Sequence, residues 1–171
     1  MKDYLVVTPD NMAVFERSLD MLRTSINNLR RVAHNMMPEM LVEFGLDESV
    51  KEYCNSVAAT KMLPVKYQSF GMDRRLAGTT EIIIYRIIEE LLNNVLRHAA
   101  ATEALVQITK GNDRVSIVVE DNGGGFDAAM LETAPGAGWK NIRSGIDYLK
   151  GRFDIHSRKD KGTIVTIEFN V

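Results

Sequence analysis

The sequence predicts an α+β fold in which a long coiled-coil-type helix precedes a two-layer α/β sandwich. Two observations predict the sandwich: helical and strand patterns are mixed along the second part of the chain, and the strands are largely antiparallel, since short connections join two pairs of them. A third observation, an unbroken heptad pattern near the amino terminus, predicts the long helix. The composition fits an ordinary globular protein, because 45% of the 171 residues are hydrophobic and 26% are charged.

The long helix is predicted over residues 8–37, where Thr8 offers an N-cap and Pro9 a preset first turn. At ~1.5 Å per residue it would be roughly 45 Å long, so we expect it to pack against another helix or a second chain. The apolar residues of its seam recur every three or four positions and are Met12, Phe15, Leu19, Leu22, Ile26, Leu29, Ala33 and Met36.

Pro38 and Gly45 interrupt this pattern, and shorter elements follow. Gly111-Asn112-Asp113 predicts a hairpin turn between two strands. Helices are expected over residues 47–62, 78–99 and 139–149, and strands over residues 65–69, 104–110, 114–121, 153–157 and 163–171. We expect the helices to cover one face of a mixed sheet.

The composition excludes several classes of protein. A net charge of −2 argues against a nucleic-acid binder that works by bulk electrostatics. The single cysteine, Cys54, lies in a helical pattern, and we expect it to be a packing residue in a reducing compartment. No apolar run approaches the ~20 residues of a membrane span, and the amino terminus has no signal-peptide pattern. We therefore expect a cytoplasmic chain without a membrane segment.

A polar stripe crosses the otherwise apolar helix over residues 78–99. Arg86, Glu90, Asn94 and His98 are four residues apart, so they fall on one helix face. The stripe could be the solvent face of a packed helix. However, asparagine is a poor helix former, and two in succession within a helix need a reason. The carbonyl oxygen of asparagine is a ligand that suits Mg²⁺ beside phosphates.

Three glycine-containing segments follow the stripe. Asp121 ends an apolar strand and enters Gly123–Gly125, a turn that permits close approach of a ligand to the backbone. Gly136-Ala-Gly138 opens a helix, whose free N–H groups and dipole favour phosphate. Gly162-Thr163 precedes the last strand. Each segment taken alone could be an ordinary turn or a flexible helix entry.

The order of these elements is more specific than any one of them. It resembles the ATP-binding catalytic domain of two-component sensor histidine kinases, of the Bergerat-fold superfamily shared with DNA gyrase, heat-shock chaperone ATPases and mismatch-repair ATPases. The resemblance covers roughly residues 46–171 and implies ATP and Mg²⁺ as cofactors. It implies that Glu90 is the general base or water-orienting carboxylate, that Asn94 is the Mg²⁺ ligand, and that Asp121 accepts from the adenine amino group.

The resemblance also implies a wider set of binding residues, with one departure from the family pattern. Trp139 stands where the family usually carries a smaller aliphatic residue, which alters the expected shape of the lid over the nucleotide. The residues implied to bind the nucleotide are Asn94, Arg97, His98, Asp121, Gly123, Gly125, Gly136, Gly138 and Thr163.

The segment before the catalytic domain indicates which group of sensor histidine kinases the chain resembles. LRRVAHNMMPEMLVEFGLDESV, residues 29–50, is similar to the nitrate-sensing and lipid-fluidity-sensing kinases. This implies that residues 1–45 belong to the second helix of a dimerisation and phosphotransfer region, and residues 46–171 to the kinase domain. The phosphorylated histidine of such kinases lies on the first helix, so we expect a piece of a longer sensor without its own acceptor helix. His34 is either the phosphoacceptor or, as we favour, a polar residue on the outer face of the bundle.

The resemblance also implies partners: a homodimer in the parent protein, which could be attached to the inner membrane, and the receiver domain of a response regulator. Two other functions remain open, a serine kinase of the anti-sigma-factor type and a degenerate ATP-binding scaffold. A DNA-topology or chaperone ATPase is disfavoured because those proteins need long additional domains.

Overall fold

The computed structural model of this protein describes residues 21, 39–128, 131 and 136–171. The chain divides into two units, Met1–Pro38 and Glu39–Val171, and the fold described below is that of the second unit. Apart from Met21, the helix predicted over residues 8–37 lies outside the described residues, and so does His34. The assignment of residues 1–45 to a dimerisation region stays a prediction.

The described elements follow the order predicted for the second part of the chain. In that order they are α1 (Glu39–Ala59), β1 (Val65–Phe70), α2 (Gly78–Asn94), a π-helical turn (Val95–Ala99), β2 (Ala104–Lys110), β3 (Arg114–Asp121), α3 (Ala137–Tyr148), β4 (Arg152–Ser157) and β5 (Thr163–Asn170). α1 is kinked at Gly45, where φ is 83°, so its second part begins close to the predicted helix start.

The five strands form one mixed sheet in the order β1-β2-β3-β5-β4. β1 is parallel to β2, and the other neighbours are antiparallel. Burial alternates along β2, β3 and β5, because successive side chains point to opposite faces. The buried face packs against α2, and α3 packs beside α2. The predicted α+β two-layer sandwich is confirmed.

The helix that carries the polar stripe ends differently from the prediction. Helical geometry was expected to continue to residue 99, but the α-helix ends at Asn94, and Val95–Ala99 form a π-helical turn. Ala100 then adopts a left-handed conformation with φ 49°. The carbonyl oxygen of Ala99 accepts a hydrogen bond from the N–H of Gly124 at 2.7 Å, so the wider turn meets the loop after β3. Such π turns often occur at functional sites.

An ion pair between exposed Arg75 and buried Glu81 links the first part of α1 to α2. Glu81 is only 1% exposed, and its carboxylate accepts a hydrogen bond from Arg75 Nη2 at 2.6 Å. The same guanidinium donates to the carbonyl oxygens of Leu41 at 2.7 Å and Val42 at 2.9 Å. Arg75 therefore fixes the chain before the kink to the helix that carries Glu90 and Asn94.

The expectation for Cys54 is also confirmed. Cys54 is fully buried in the core, as predicted for a packing residue, and burial raises the pKa of its thiol to about 12. In the part of the chain that the structure describes, the helices are too short or too polar to span a bilayer.

Candidate active site

A cavity of about 530 Å³ lies between the end of α2, the π-helical turn, the end of β3 and the start of β5. Its volume is within the range of about 300–1,000 Å³ that is usual for small-molecule sites. Five of the predicted binding residues line this cavity, namely Asn94, His98, Asp121, Gly125 and Thr163. Much of the remaining lining is apolar and comes from Leu91, Val95, Ala99, Val119, Phe126, Leu131, Trp139 and Val165.

Asp121 is the buried carboxylate of the cavity. It ends β3 between Ala104 of β2 and Thr163 of β5, and it is 7% exposed. Burial raises the pKa of this carboxyl group, while hydrogen bonds from the backbone N–H groups of Gly123 and Thr163 act in the opposite direction. The Gly123 bond measures 2.8 Å. Two carboxylate oxygens offer about four lone-pair sites, so Asp121 can accept a further hydrogen bond from a ligand.

The glycines after Asp121 let the loop approach the end of the π-helical turn. A β-carbon at Gly123 would overlap with the carbonyl oxygen of Ala99, so only glycine fits there. Asn122 anchors the same loop from the other side, because its side-chain oxygen accepts from the N–H groups of Thr102 at 2.9 Å and Glu103 at 3.0 Å. These contacts hold the loop against the end of the π-helical turn and the segment before β2.

Asn94 and His98 are the two residues of the polar stripe that line the cavity. The side-chain nitrogen of Asn94 is buried and has no hydrogen-bond partner among the described residues. An unpartnered buried polar group costs about 1–3 kcal/mol, which a bound ligand would recover. His98 is exposed at the cavity edge.

Glu90 lies outside the cavity lining but meets the start of α3. A β-carbon at Gly138 would overlap with Oε1 of Glu90, so the carboxylate sits against the first turn of that helix. The N-cap of α3 is Gly136, which supplies no side-chain hydrogen bond. A helix start of this kind favours anions. Gly136 and Arg97 are exposed and do not line the cavity.

Three residues of the site were not assigned as binding residues from the sequence. Phe126 and Trp139 line the cavity, and Ser157 is outside the lining with its hydroxyl 2.9 Å from that of Thr163. Ser157 pairs with Thr163 in the antiparallel sheet, but the charged loop between them gave no motif that indicates this. The sequence placed Trp139 directly after the second glycine segment and beside the expected lid, but did not assign it as a binding residue.

A family model described as "Histidine kinase-, DNA gyrase B-, and HSP90-like ATPase" matches residues 79–171, which is more than half of the chain. Among curated proteins, the sensor histidine kinase MctS of Rhizobium johnstonii is 28% identical over 92% of this chain and 34% of its own length. The signal transduction histidine-protein kinase/phosphatase DegS of Brevibacillus brevis is 26% identical over 88% of this chain and 39% of its own length. The chain thus spans between a third and two fifths of these relatives.

Solved structures support the fold. The histidine kinase domain of a blue-light activated histidine kinase from Erythrobacter litoralis superposes with a TM-score of 0.58 at 21% identity. The match covers 71% of this chain and 58% of that domain.

The chain therefore belongs to the histidine kinase-, DNA gyrase B- and HSP90-like ATPase family. Within it, the similarity to MctS and DegS confirms the resemblance to the ATP-binding catalytic domain of sensor histidine kinases.

Proposed function

We propose that this chain is the catalytic part of a two-component sensor histidine kinase. It binds Mg-ATP and transfers the γ-phosphoryl group to a histidine, from which the group passes to an aspartate of a response regulator. The observation that carries the proposal is that one cavity is lined by both the buried Asp121 carboxylate and Asn94, whose side-chain nitrogen has no hydrogen-bond partner among the described residues.

Asp121 is the residue proposed to recognise adenine. Its carboxylate is fixed by two backbone N–H groups, and its remaining acceptor capacity suits the 6-amino group of a purine. The apolar lining of the cavity suits the flat faces of the base. The triphosphate would extend from there toward Asn94 and the start of α3, where anions are favoured.

Asn94 fits a role in holding Mg²⁺. The described residues contain no group of three or more histidine, cysteine or acidic side chains that could hold a metal ion by itself. Mg²⁺ commonly binds through few protein ligands together with substrate phosphates and water, and the Asn94 amide would supply one such oxygen. When bound, Mg²⁺ would neutralise phosphate charge.

Glu90 is the proposed general base. Its carboxylate lies against the first turn of α3, beside the expected position of the phosphates, and could accept a proton from the attacking group. His98 at the cavity edge and Arg97 nearby on the π-helical turn are proposed to contact the phosphates.

The wider context is also proposed by similarity to the relatives. We propose a homodimer in the parent protein, a response-regulator receiver domain as the phosphoryl acceptor, and a cytoplasmic location for this chain.

Calorimetric titration with ATP, with and without Mg²⁺, tests the assignment of the site. We expect Asn94→Ala to lose the Mg²⁺-dependent part of ATP binding, because it removes an oxygen ligand. Asn112→Ala, in the exposed β2–β3 turn, is the matched control and should bind as the wild type does. Wild-type protein that binds no ATP would refute the proposal.

A further inference from the structure

One wall of the cavity is aromatic. Phe126 and Trp139 both line it, with ring centroids 6.3 Å apart and planes inclined by 57°. Tilted pairs at this separation are a favoured arrangement of aromatic rings. Trp139 is only partly buried, although it is the largest side chain in the site. Part of its apolar surface therefore faces the cavity and is available to a ligand.

Contacts through Ser157 connect the aromatic wall to the strand that carries Thr163. The backbone N–H of Phe126 donates to Ser157 Oγ at 2.8 Å. The same hydroxyl lies 2.9 Å from Oγ1 of Thr163, which faces Asp121 across the sheet. Ser157 thus connects the wall with the strand pair that holds the buried carboxylate, which fixes the spacing between Phe126 and Asp121.

On this basis, and resting on the proposed function, we propose that Trp139 and Phe126 contact the nucleobase and determine its affinity. A base whose amino group binds Asp121 would cover the exposed apolar surface of the wall. Contact between a base and an aromatic side chain is strong enough to matter, since alanine substitution of such residues weakens binding by roughly 5- to 150-fold.

The competing interpretation places Trp139 at the phosphates. Trp139 lies in the first turn of α3, and the start of that helix favours anions. The two interpretations differ for adenosine, which has the base and lacks the phosphates. A contact with the base affects adenosine and ATP equally, whereas a contact with the phosphates affects ATP alone.

The experiment is calorimetric titration of wild type, Trp139→Leu and Trp139→Phe with ATP and with adenosine. Trp139→Leu should weaken both ligands by the same factor, about tenfold, and Trp139→Phe should retain most of the affinity. Tyr148→Leu is the matched control, because Tyr148 ends the same helix and is 64% exposed. It should leave both affinities unchanged.

The fluorescence of wild-type protein supplies a second readout that does not depend on a variant folding. Trp139 is the only tryptophan of the chain, so adenosine alone should change its emission. Weakened ATP binding with unchanged adenosine binding in Trp139→Leu, or unchanged affinity for both, would overturn the base contact. In either case wild type would still bind ATP, so the proposed function would stand; it would fail only if wild type bound no ATP.

Discussion

Replacing Asp121 by asparagine should weaken ATP and favour GTP. The backbone N–H groups of Gly123 and Thr163 need an acceptor, so they should hold the amide oxygen of the new side chain. Its NH₂ group would then face the cavity and meet the 6-amino group of adenine, donor against donor. Guanine carries an acceptor oxygen at that position, so the same NH₂ group would pair with it.

The loss for ATP can be estimated from the bond that is removed. A hydrogen bond to a charged group contributes about 1.5–3 kcal/mol. At 1.4 kcal/mol for each factor of ten, ATP should bind about 10- to 150-fold more weakly. The ratio of GTP to ATP affinity should rise by at least the same factor, because the change also removes a repulsion from the guanine oxygen.

Titration calorimetry of both nucleotides with wild type and variant measures this ratio. Asp113→Asn, in the exposed turn before the same strand, is the matched control and should change neither affinity. Equal losses for ATP and GTP in Asp121→Asn, or no loss, would show that Asp121 does not face the 6-position of the base.

Three further predictions follow from the same geometry. Gly123→Ala should lower the free energy of unfolding by ~1–3 kcal/mol in urea titrations, because the methyl group would overlap with a backbone oxygen; Gly136→Ala, where the space is open, should not. Glu90→Ala should bind ATP nearly normally in calorimetry, yet transfer phosphate ~10²–10⁴-fold more slowly in a labelling assay. The raised pKa of Asp121 means that its charge destabilises the fold at neutral pH, so Asp121→Asn should melt at a higher temperature than wild type at pH 7. That difference should shrink as the pH falls through the raised pKa toward the ordinary value of 3.8.

The strands and the turns at the glycine segments could be predicted from the sequence, because the pattern of neighbouring residues determines them. Alternation of apolar and polar residues fixes which face of a strand is buried, and β2 and β3 have the predicted bounds. The same periodicities predicted Asp121 at the end of β3 and Asn94 on one face of the helix over residues 78–99. The packing of that helix against the sheet then brings both residues to one cavity.

Contacts between distant residues could not be predicted in this way. The hydrogen bond from Phe126 to Ser157 joins positions 31 residues apart, and no sequence period relates them. Glu81 lies in the first turn of α2, where acidic residues are usually exposed, yet it is buried and accepts a hydrogen bond from Arg75. The π-helical turn also escaped prediction, since its Ala99 carbonyl is bound by Gly124 from a separate loop.

The measurement that tests the central claim most directly is transfer of label from γ-labelled Mg-ATP to a histidine. The chain is incubated with the histidine-bearing dimerisation domain of its parent sensor, and the stability of the labelled product is determined. We predict label that is labile in acid and stable in base, and that is lost with Glu90→Ala. Label that is stable in acid and labile in base would instead identify a serine kinase, and ATP binding without any transfer would identify a scaffold.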